Sequence, residues 1–102
     1  MKYKIHNEWT NIASGTCYQG CVNIPYFELV EVFGESEISG DKTQAEWIVE
    51  FEDGKVATIY DYKEYETSVE FVTDWHIGGK DSAIVSRVKE IIKKNLDRKC
   101  LV

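Results

Sequence analysis

The chain of 102 residues contains 43% hydrophobic and 29% charged residues, which is typical of one globular domain and unlike a disordered chain. Its net charge of −6 is uneven, because residues 87–99 hold six basic and two acidic residues while the remainder holds six and sixteen. A body of charge −10 repels nucleic acid over most of its surface, which argues against general nucleic-acid binding.

No apolar run approaches the length needed to cross a bilayer, and the polar start lacks the apolar stretch of a secretion signal. We therefore expect a cytoplasmic protein without membrane contact. Cys17, Cys21 and Cys100 are odd in number, and the first two have no second pair to complete a zinc site. Reduced and mostly buried thiols are the expected state.

The first third of the chain predicts two short edge strands and one helix. The polar, glycine-punctuated stretch 7–20 indicates a loop, flanked by possible edge strands over residues 2–5 and 21–24. Residues 25–33 indicate a largely apolar helix, because proline suits a first helical turn and Gly34 stands where a left-handed cap is favourable.

The strongest local signal is a β-hairpin. Strands over residues 45–52 and 55–62 flank Asp53-Gly54, a dipeptide favoured in two-residue turns. The register that follows from such a turn pairs Glu52 with Lys55, Phe51 with Val56, Val49 with Thr58, and Trp47 with Tyr60.

A third strand is predicted over residues 69–77, where apolar and polar residues alternate and where Trp75 shares a face with Phe71 and Ile77. Asp81 or Ser82 then caps an amphipathic C-terminal helix. A tight hairpin leaves no room for a crossover, so we predict an α+β fold in a single domain. It comprises an antiparallel sheet of three to five strands around the central hairpin, one short helix, and the C-terminal helix packed on the sheet.

The first candidate site is the corner formed by Gly78, Gly79 and Lys80, between the third strand and the C-terminal helix. Backbone amides, the positive end of the helix dipole and a lysine would together suit a phosphate. Asp81 opposes an anion there, and glycines at such a junction are commonly turn residues.

The second candidate site is the cluster of Tyr60, Asp61, Tyr62 and Lys63 at a strand end, and His76 lies beside the glycine corner. Tyrosines are favoured at binding surfaces because they bury area at low entropic cost, although they also simply complete strands. Asp61 and Lys63 are the members most available for recognition. His76 points away from the face of Trp75 and shares its own face with Asp74, where it could contact a ligand or only solvent.

The sequence indicates no catalytic residue, metal or cofactor. Only two histidines are present, and none of the common hydrolase, protease or paired-cysteine motifs occurs. Cys17 or Cys21 could pair with His76 as a nucleophile, but nothing in the sequence places them together. We therefore favour a binding protein over an enzyme.

Three pieces of the chain, YFELVEVFGE, AEWIVEFEDGKVATIYDYK and TDWHIGGK followed by a helix, resemble a family of small bacteriophage and prophage proteins. The resemblance extends from about residue 20 to residue 92. Members of that family usually carry proline after the FGE segment, where this chain has Ser36. The resemblance brings no established active site with it.

The resemblance implies a phage accessory protein in the host bacterial cytoplasm that counters bacterial immunity. One mechanism is sequestration of a small, anionic, nucleotide-like immune signal by Gly78, Gly79 and Lys80 with Tyr60, Tyr62 and His76 around them. The alternative is inhibition of a host immune protein, such as a nuclease whose basic groove the acidic body blocks. Tyrosines at strand ends and a basic helix on an acidic body also favour a homodimer or higher homo-oligomer.

Overall fold

The computed structural model describes residues 2–6, 10–36, 43–62 and 66–100, the last four of these as backbone only. The elements in chain order are β1 (Tyr3–His6), a first 3-10 helix (Asn11–Ala13), β2 (Cys17–Asn23), α1 (Tyr26–Phe33), β3 (Glu46–Phe51), β4 (Val56–Tyr60), a second 3-10 helix (Val69–Phe71), β5 (Asp74–Gly79) and α2 (Ala83–Cys100). The strands form one antiparallel sheet in the order β1-β3-β4-β5-β2. The predicted α+β class is confirmed.

The central hairpin forms as predicted, but its register differs by one residue. Phe51 donates its backbone N–H to the carbonyl of Lys55 and accepts from Gly54, so the loop has three residues rather than two. Gly54 adopts a φ of +87°, the left-handed conformation that closes such three-residue loops. The observed pairs are Glu46 with Tyr60, Trp47 with Ile59, Ile48 with Thr58, Val49 with Ala57, and Glu50 with Val56.

This shift changes which side chains share a face, since a one-residue slip moves every side chain of a strand to the other side relative to its partner. Tyr60 lies opposite Glu46, not opposite Trp47 as predicted. It also lies opposite His76 of β5. The shift therefore places Tyr60 on the face opposite to that of Trp47, and the separate pairing of β4 with β5 places His76 on the same face as Tyr60.

The third predicted strand begins later than the alternation indicated. Val69–Phe71 is a 3-10 helix and β5 spans Asp74–Gly79. Phe71 is 75% exposed, whereas Val72 is buried, so Phe71 does not share the buried face of Trp75. The irregular backbone between the two elements breaks the period-two pattern that the prediction assumed.

The hydrophobic core lies between one side of the sheet, here called the helix face, and the two α-helices. Trp47 and Trp75 are fully buried there with ring centroids 5.5 Å apart, and Tyr26 of α1 stacks on Trp75 at 6.0 Å. Both indole N–H groups are satisfied, because they donate to the carbonyls of Gly34 and Val72. The remaining buried members of this core are Ile24, Leu29, Phe33, Ala45, Val49, Phe51, Ala57, Ile59, Val72, Ile77, Ile84, Val88, Ile91 and Ile92.

The helix ends follow the sequence signals. Gly34 ends α1 with a φ of +85°, as predicted for a left-handed cap. Asp81 accepts a hydrogen bond from the N–H of Ala83 and pairs with Lys55 at 2.8 Å. The hydrogen bond from Lys55, followed by that from Ala83, lowers the pKa of Asp81. The start of α2 therefore already holds a carboxylate of this chain.

Among the described residues, the first 3-10 helix covers one end of the reverse side of the sheet, here called the open face. The first 3-10 helix packs on β4, and Ala13 and Ile48 are buried outside the main core. The predicted loop 7–20 therefore contains a 3-10 helix and the beginning of β2, except for residues 7–9, which lie outside the described part. None of the described helices has the length and hydropathy required to span a bilayer.

Candidate functional site

Four strands align four chemically active side chains in a row across the open face. Glu46 of β3 lies opposite Tyr60 of β4, which lies opposite His76 of β5, which lies opposite Cys21 of β2. Directly opposed residues in antiparallel strands project from the same face with Cβ atoms about 4.5–5.5 Å apart. This cross-sheet row therefore brings a carboxylate, a phenol, an imidazole and a thiol side by side.

Tyr18, Tyr60, Tyr62 and His76 form an aromatic cluster around the middle of this row. The His76 ring lies 5.0 Å from Tyr18 and 5.5 Å from Tyr60 in edge-on contacts. It lies 5.6 Å from Tyr62 in a stacked arrangement. The four rings surround a shallow hollow, and Tyr18 and Tyr62 are 55% and 40% exposed. Exposed rings held in contact with one another offer a preformed surface for another flat group.

A second hollow of about 400 Å³ adjoins the cluster, because Tyr60 lines both. We call it the polar hollow. Its floor contains Gly78, where an added Cβ would lie 2.5 Å from Oγ1 of Thr58. The rest of its lining comprises Ala13, Ser14, Gly15, Thr16, Cys17, Glu46, Thr58 and Tyr60. Glycine is required at position 78 because the side chain of Thr58 already occupies the space that a Cβ would enter.

Glu46 gives the polar hollow its electrostatic character. Burial raises the pKa of its carboxyl group. Burial, and then the negative charge of Glu46, raises the pKa of Tyr60. Both groups therefore lie in a partly desolvated setting where a hydrogen bond to a ligand is stronger than in bulk water. Perturbed carboxyl and phenol groups in a hollow are typical of functional sites.

The thiols differ from the prediction, because Cys17 and Cys21 are exposed rather than buried. Both lie on an edge strand, where side chains lack a neighbouring strand on one side. Cys21 lies opposite His76, a proximity for which the sequence provided no reason. A hydrogen bond with Cys21 is the largest cause of the raised pKa of Tyr18.

The glycine corner is not a corner in the structure. Gly78 and Gly79 are buried residues of β5 and lack the positive φ of a turn. Gly79 faces α2, where an added Cβ would lie 2.7 Å from Cγ2 of Ile84, so it is small because the helix packs directly on it. Gly78 and Gly79 therefore do not form the predicted phosphate-binding turn. Each allows close packing, Gly78 on the open face of β5 and Gly79 on the helix face.

Lys80 is separated from the aromatic cluster. It lines a different hollow, together with Ile12, Lys55 and Asp81. Its side chain lies beside Gly15, at the far side of the polar hollow from the rings. Lys80, which follows the end of β5, and His76, which lies within it, therefore line different hollows.

Asp61 and Lys63 are the other two predicted site residues. Asp61 is fully buried, and its carboxylate accepts hydrogen bonds from the backbone N–H groups of Gln44 at 2.7 Å and Ala45 at 3.1 Å. Its side chain fixes the chain entering β3 and is not available to a ligand, which corrects the prediction. Lys63 lies outside the described residues.

The sequence interpretation did not select Glu46, Thr58, Tyr18 or Cys21 for the binding site. The alternation signal was present for the first two, but their placement near His76 depends on the hairpin register and on the pairing of β4 with β5. Among the described residues, no group of three His, Cys, Asp or Glu side chains is placed to hold a metal ion. No family model matches the chain, and no curated protein matches it. Inference about function therefore depends on the geometry of the open face.

Proposed function

We propose that the protein is a binding protein that captures a small nucleotide-like molecule on the open face of its sheet. The observation that carries this proposal is the convergence of four ring side chains, Tyr18, Tyr60, Tyr62 and His76, around one hollow. Stacking of a nucleobase on protein rings contributes about 1–3 kcal/mol per base, and every base has a flat face that such rings can contact.

The polar hollow supports the sugar part of the ligand. Glu46 and the hydroxyl of Thr58 line the hollow next to Tyr60. Carboxylates commonly accept hydrogen bonds from ribose hydroxyls, and a hydroxyl side chain can both donate and accept. The polar hollow adjoins the aromatic cluster through Tyr60, so a sugar attached to a base stacked at the cluster would reach these two groups.

The phosphate part of the ligand is recognised weakly. Asp81 occupies the start of α2, and Glu46 places negative charge in the polar hollow. A phosphate is accommodated only at the outer side of the hollow, toward Lys80, which is exposed. Recognition of base and sugar, with the phosphate toward solvent, is therefore a revision of the phosphate-centred site expected from sequence.

The biological setting of the proposal follows from the resemblance to small phage proteins. A protein that holds a nucleotide-like immune signal without converting it would act as a sequestering anti-defence protein. Such a role requires abundance and affinity rather than a catalytic group.

Calorimetric titration with a panel of nucleosides, nucleotides and cyclic dinucleotides tests the proposal. We expect binding by at least one ring-bearing ligand, with affinity reduced about tenfold by Tyr62→Ala because one stacking contact is lost. Phe71→Ala is the matched control, since Phe71 is also an exposed aromatic but lies outside the cluster. Lys80→Ala should change affinity less than Tyr62→Ala. Absence of binding across the panel, or equal losses with Tyr62→Ala and Phe71→Ala, would reject the proposal.

A second candidate function is inhibition of a host immune protein by direct docking. Phe27 of α1 and Phe71 are 62% and 75% exposed, and α1 packs against the second 3-10 helix that contains Phe71. Glu28 and Glu70 lie on the same two elements. An exposed aromatic pair among acidic residues suits a partner with an apolar groove bordered by basic residues. Co-purification of a host enzyme that is lost with Phe27→Ala and Phe71→Ala would favour this alternative.

A further inference from the structure

Strand β2 is an unusually unprotected edge of the sheet. It is seven residues long, contains no charged residue and no proline, and four of its residues are exposed. The opposite edge, β1, has four residues and includes Lys4. Soluble proteins usually protect edge strands by charge, proline, shortness or a bulge, because unpaired backbone groups attract another strand. Among these protective features, the described part of the chain gives β2 a bulge between Tyr18 and Gly20.

The backbone groups that β2 presents outward can be identified from its pairing with β5. The N–H of Ile24 donates to the carbonyl of Thr73, directly opposite, at 2.8 Å. Hydrogen-bonded and non-hydrogen-bonded pairs alternate along antiparallel strands. Cys21 and Asn23 therefore direct their N–H and C=O groups away from β5, toward the open edge.

We propose that two copies of the protein pair antiparallel along β2 about a two-fold axis and form one continuous ten-stranded sheet. A second copy fits this edge because an antiparallel strand edge is complementary to its own two-fold image. The uncharged strand also lets two chains of net charge −6 meet where their repulsion is least.

The pairing would place a second copy beside the end of the cross-sheet row. A two-fold axis normal to the sheet keeps the open faces of the two copies on the same side. Cys21 lies opposite His76 on the edge strand, so the Cys21 of the second copy lies next to this end of the row. The two Tyr18 rings lie far apart, because antiparallel pairing near Cys21 separates them along the strands. The proposed pairing does not depend on the proposed function.

Cys21 provides a direct reporter of the pairing. Outward-facing residues must pair with each other, so Cys21 lies opposite either Cys21 or Asn23 of the second copy. The two Cys21 Cα atoms are then about 5.5 Å apart in the first register and about 7–8 Å apart in the second. Cys17 is four residues along the strand, which separates its two copies by more than about 20 Å in either register.

Cross-linking with a short bis-maleimide compares two variants that differ only in the remaining thiol. The chain Cys17→Ser with Cys100→Ser retains Cys21, and the chain Cys21→Ser with Cys100→Ser retains Cys17. At ~100 μM, well above micromolar dissociation constants, we expect the first variant to give at least about ten times more covalent dimer. Equal cross-linking of the two variants would overturn the proposed pairing.

Sedimentation at the same concentration provides the second measurement. We expect a dimer for the natural chain and a monomer for Cys21→Pro, because proline removes only an outward N–H and is tolerated on edge strands. Unchanged far-UV circular dichroism would show that this variant folds; if it does not fold, the cross-linking pair decides. A monomeric natural chain that binds a nucleotide overturns the pairing alone, and a dimer that binds none overturns the proposed ligand alone.

Discussion

The two faces of the sheet differ in what their side chains are needed for. On the helix face, Trp47, Trp75 and Ile77 are fully buried in the core. On the open face, the cross-sheet row consists of four residues that all carry an ionisable group. Packing accounts for the helix face but does not require a carboxylate, a phenol, an imidazole and a thiol in line. Ionisable side chains that packing does not require are more common at functional sites than elsewhere.

The largest expected effect is a loss of stability when the helix face is changed. Trp75→Ala removes a fully buried indole that contacts Trp47 and Tyr26. We expect the free energy of unfolding to fall by about 3–5 kcal/mol, measured by urea denaturation. Trp75→Phe should cost clearly less because it leaves a smaller cavity. A loss below about 1 kcal/mol for Trp75→Ala would contradict the assignment of this face as the core.

A somewhat smaller loss is expected at Asp61, which sequence reasoning placed in a binding site. Asp61→Ala leaves the N–H groups of Gln44 and Ala45 without their acceptor. We expect a loss of about 2–3 kcal/mol in the same urea experiment, because buried unsatisfied donors are costly. Asp61→Asn retains an acceptor oxygen and should lose less. Equal stability of the alanine variant and the natural chain would show that the carboxylate does not anchor this segment.

On the open face we expect binding to change much more than stability. His76→Ala removes the ring that contacts the other three members of the aromatic cluster. Because the site is partly exposed, the free energy of unfolding should change by less than about 1 kcal/mol, while nucleotide affinity falls. Urea denaturation and calorimetric titration on the same sample check the two expectations. If His76→Ala lowered the free energy of unfolding as much as Trp75→Ala, the two faces would not differ in their contribution to stability.

The smallest expected effect is a pH-dependent gain of stability with Glu46→Gln. Burial raises the pKa of Glu46 in the folded state, so folding disfavours its ionised form. The natural chain therefore loses stability as pH rises from the unfolded pKa through the raised folded pKa, and this penalty persists at higher pH. Glu46→Gln should raise Tm by about 1–3 °C at pH 7.

Thermal unfolding at two pH values provides the control for Glu46→Gln. The difference in Tm between the variant and the natural chain should disappear below the unfolded pKa, where Glu46 is protonated in both states. An equal difference at both pH values would show that the burial of charge is not its cause. Loss of ligand affinity together with this gain in stability would support a functional role for the carboxylate.

Local patterns carried the prediction of the elements and of most of the core. The hairpin, the C-terminal helix with its apolar stripe and the cap at Gly34 all follow from residue spacing and turn chemistry. Phe71 shows where alternation fails, because a 3-10 helix interrupts the strand before β5 and turns this side chain outward. Asp61 shows that a charged residue in a polar stretch can be structural when two backbone donors require it.

The sequence alone determined that the chain forms an antiparallel sheet with two helices, because side-chain periodicity and turn residues act over a few neighbouring positions. The tertiary structure decided which side chains meet across strands. One extra residue in the loop that ends at Gly54 shifts the hairpin register and places Tyr60 opposite Glu46. The pairing of β4 with β5 then places Tyr60 opposite His76. The binding surface therefore depends on a three-residue loop and on the pairing of strands distant in sequence, neither of which the period-two pattern of the strands specifies.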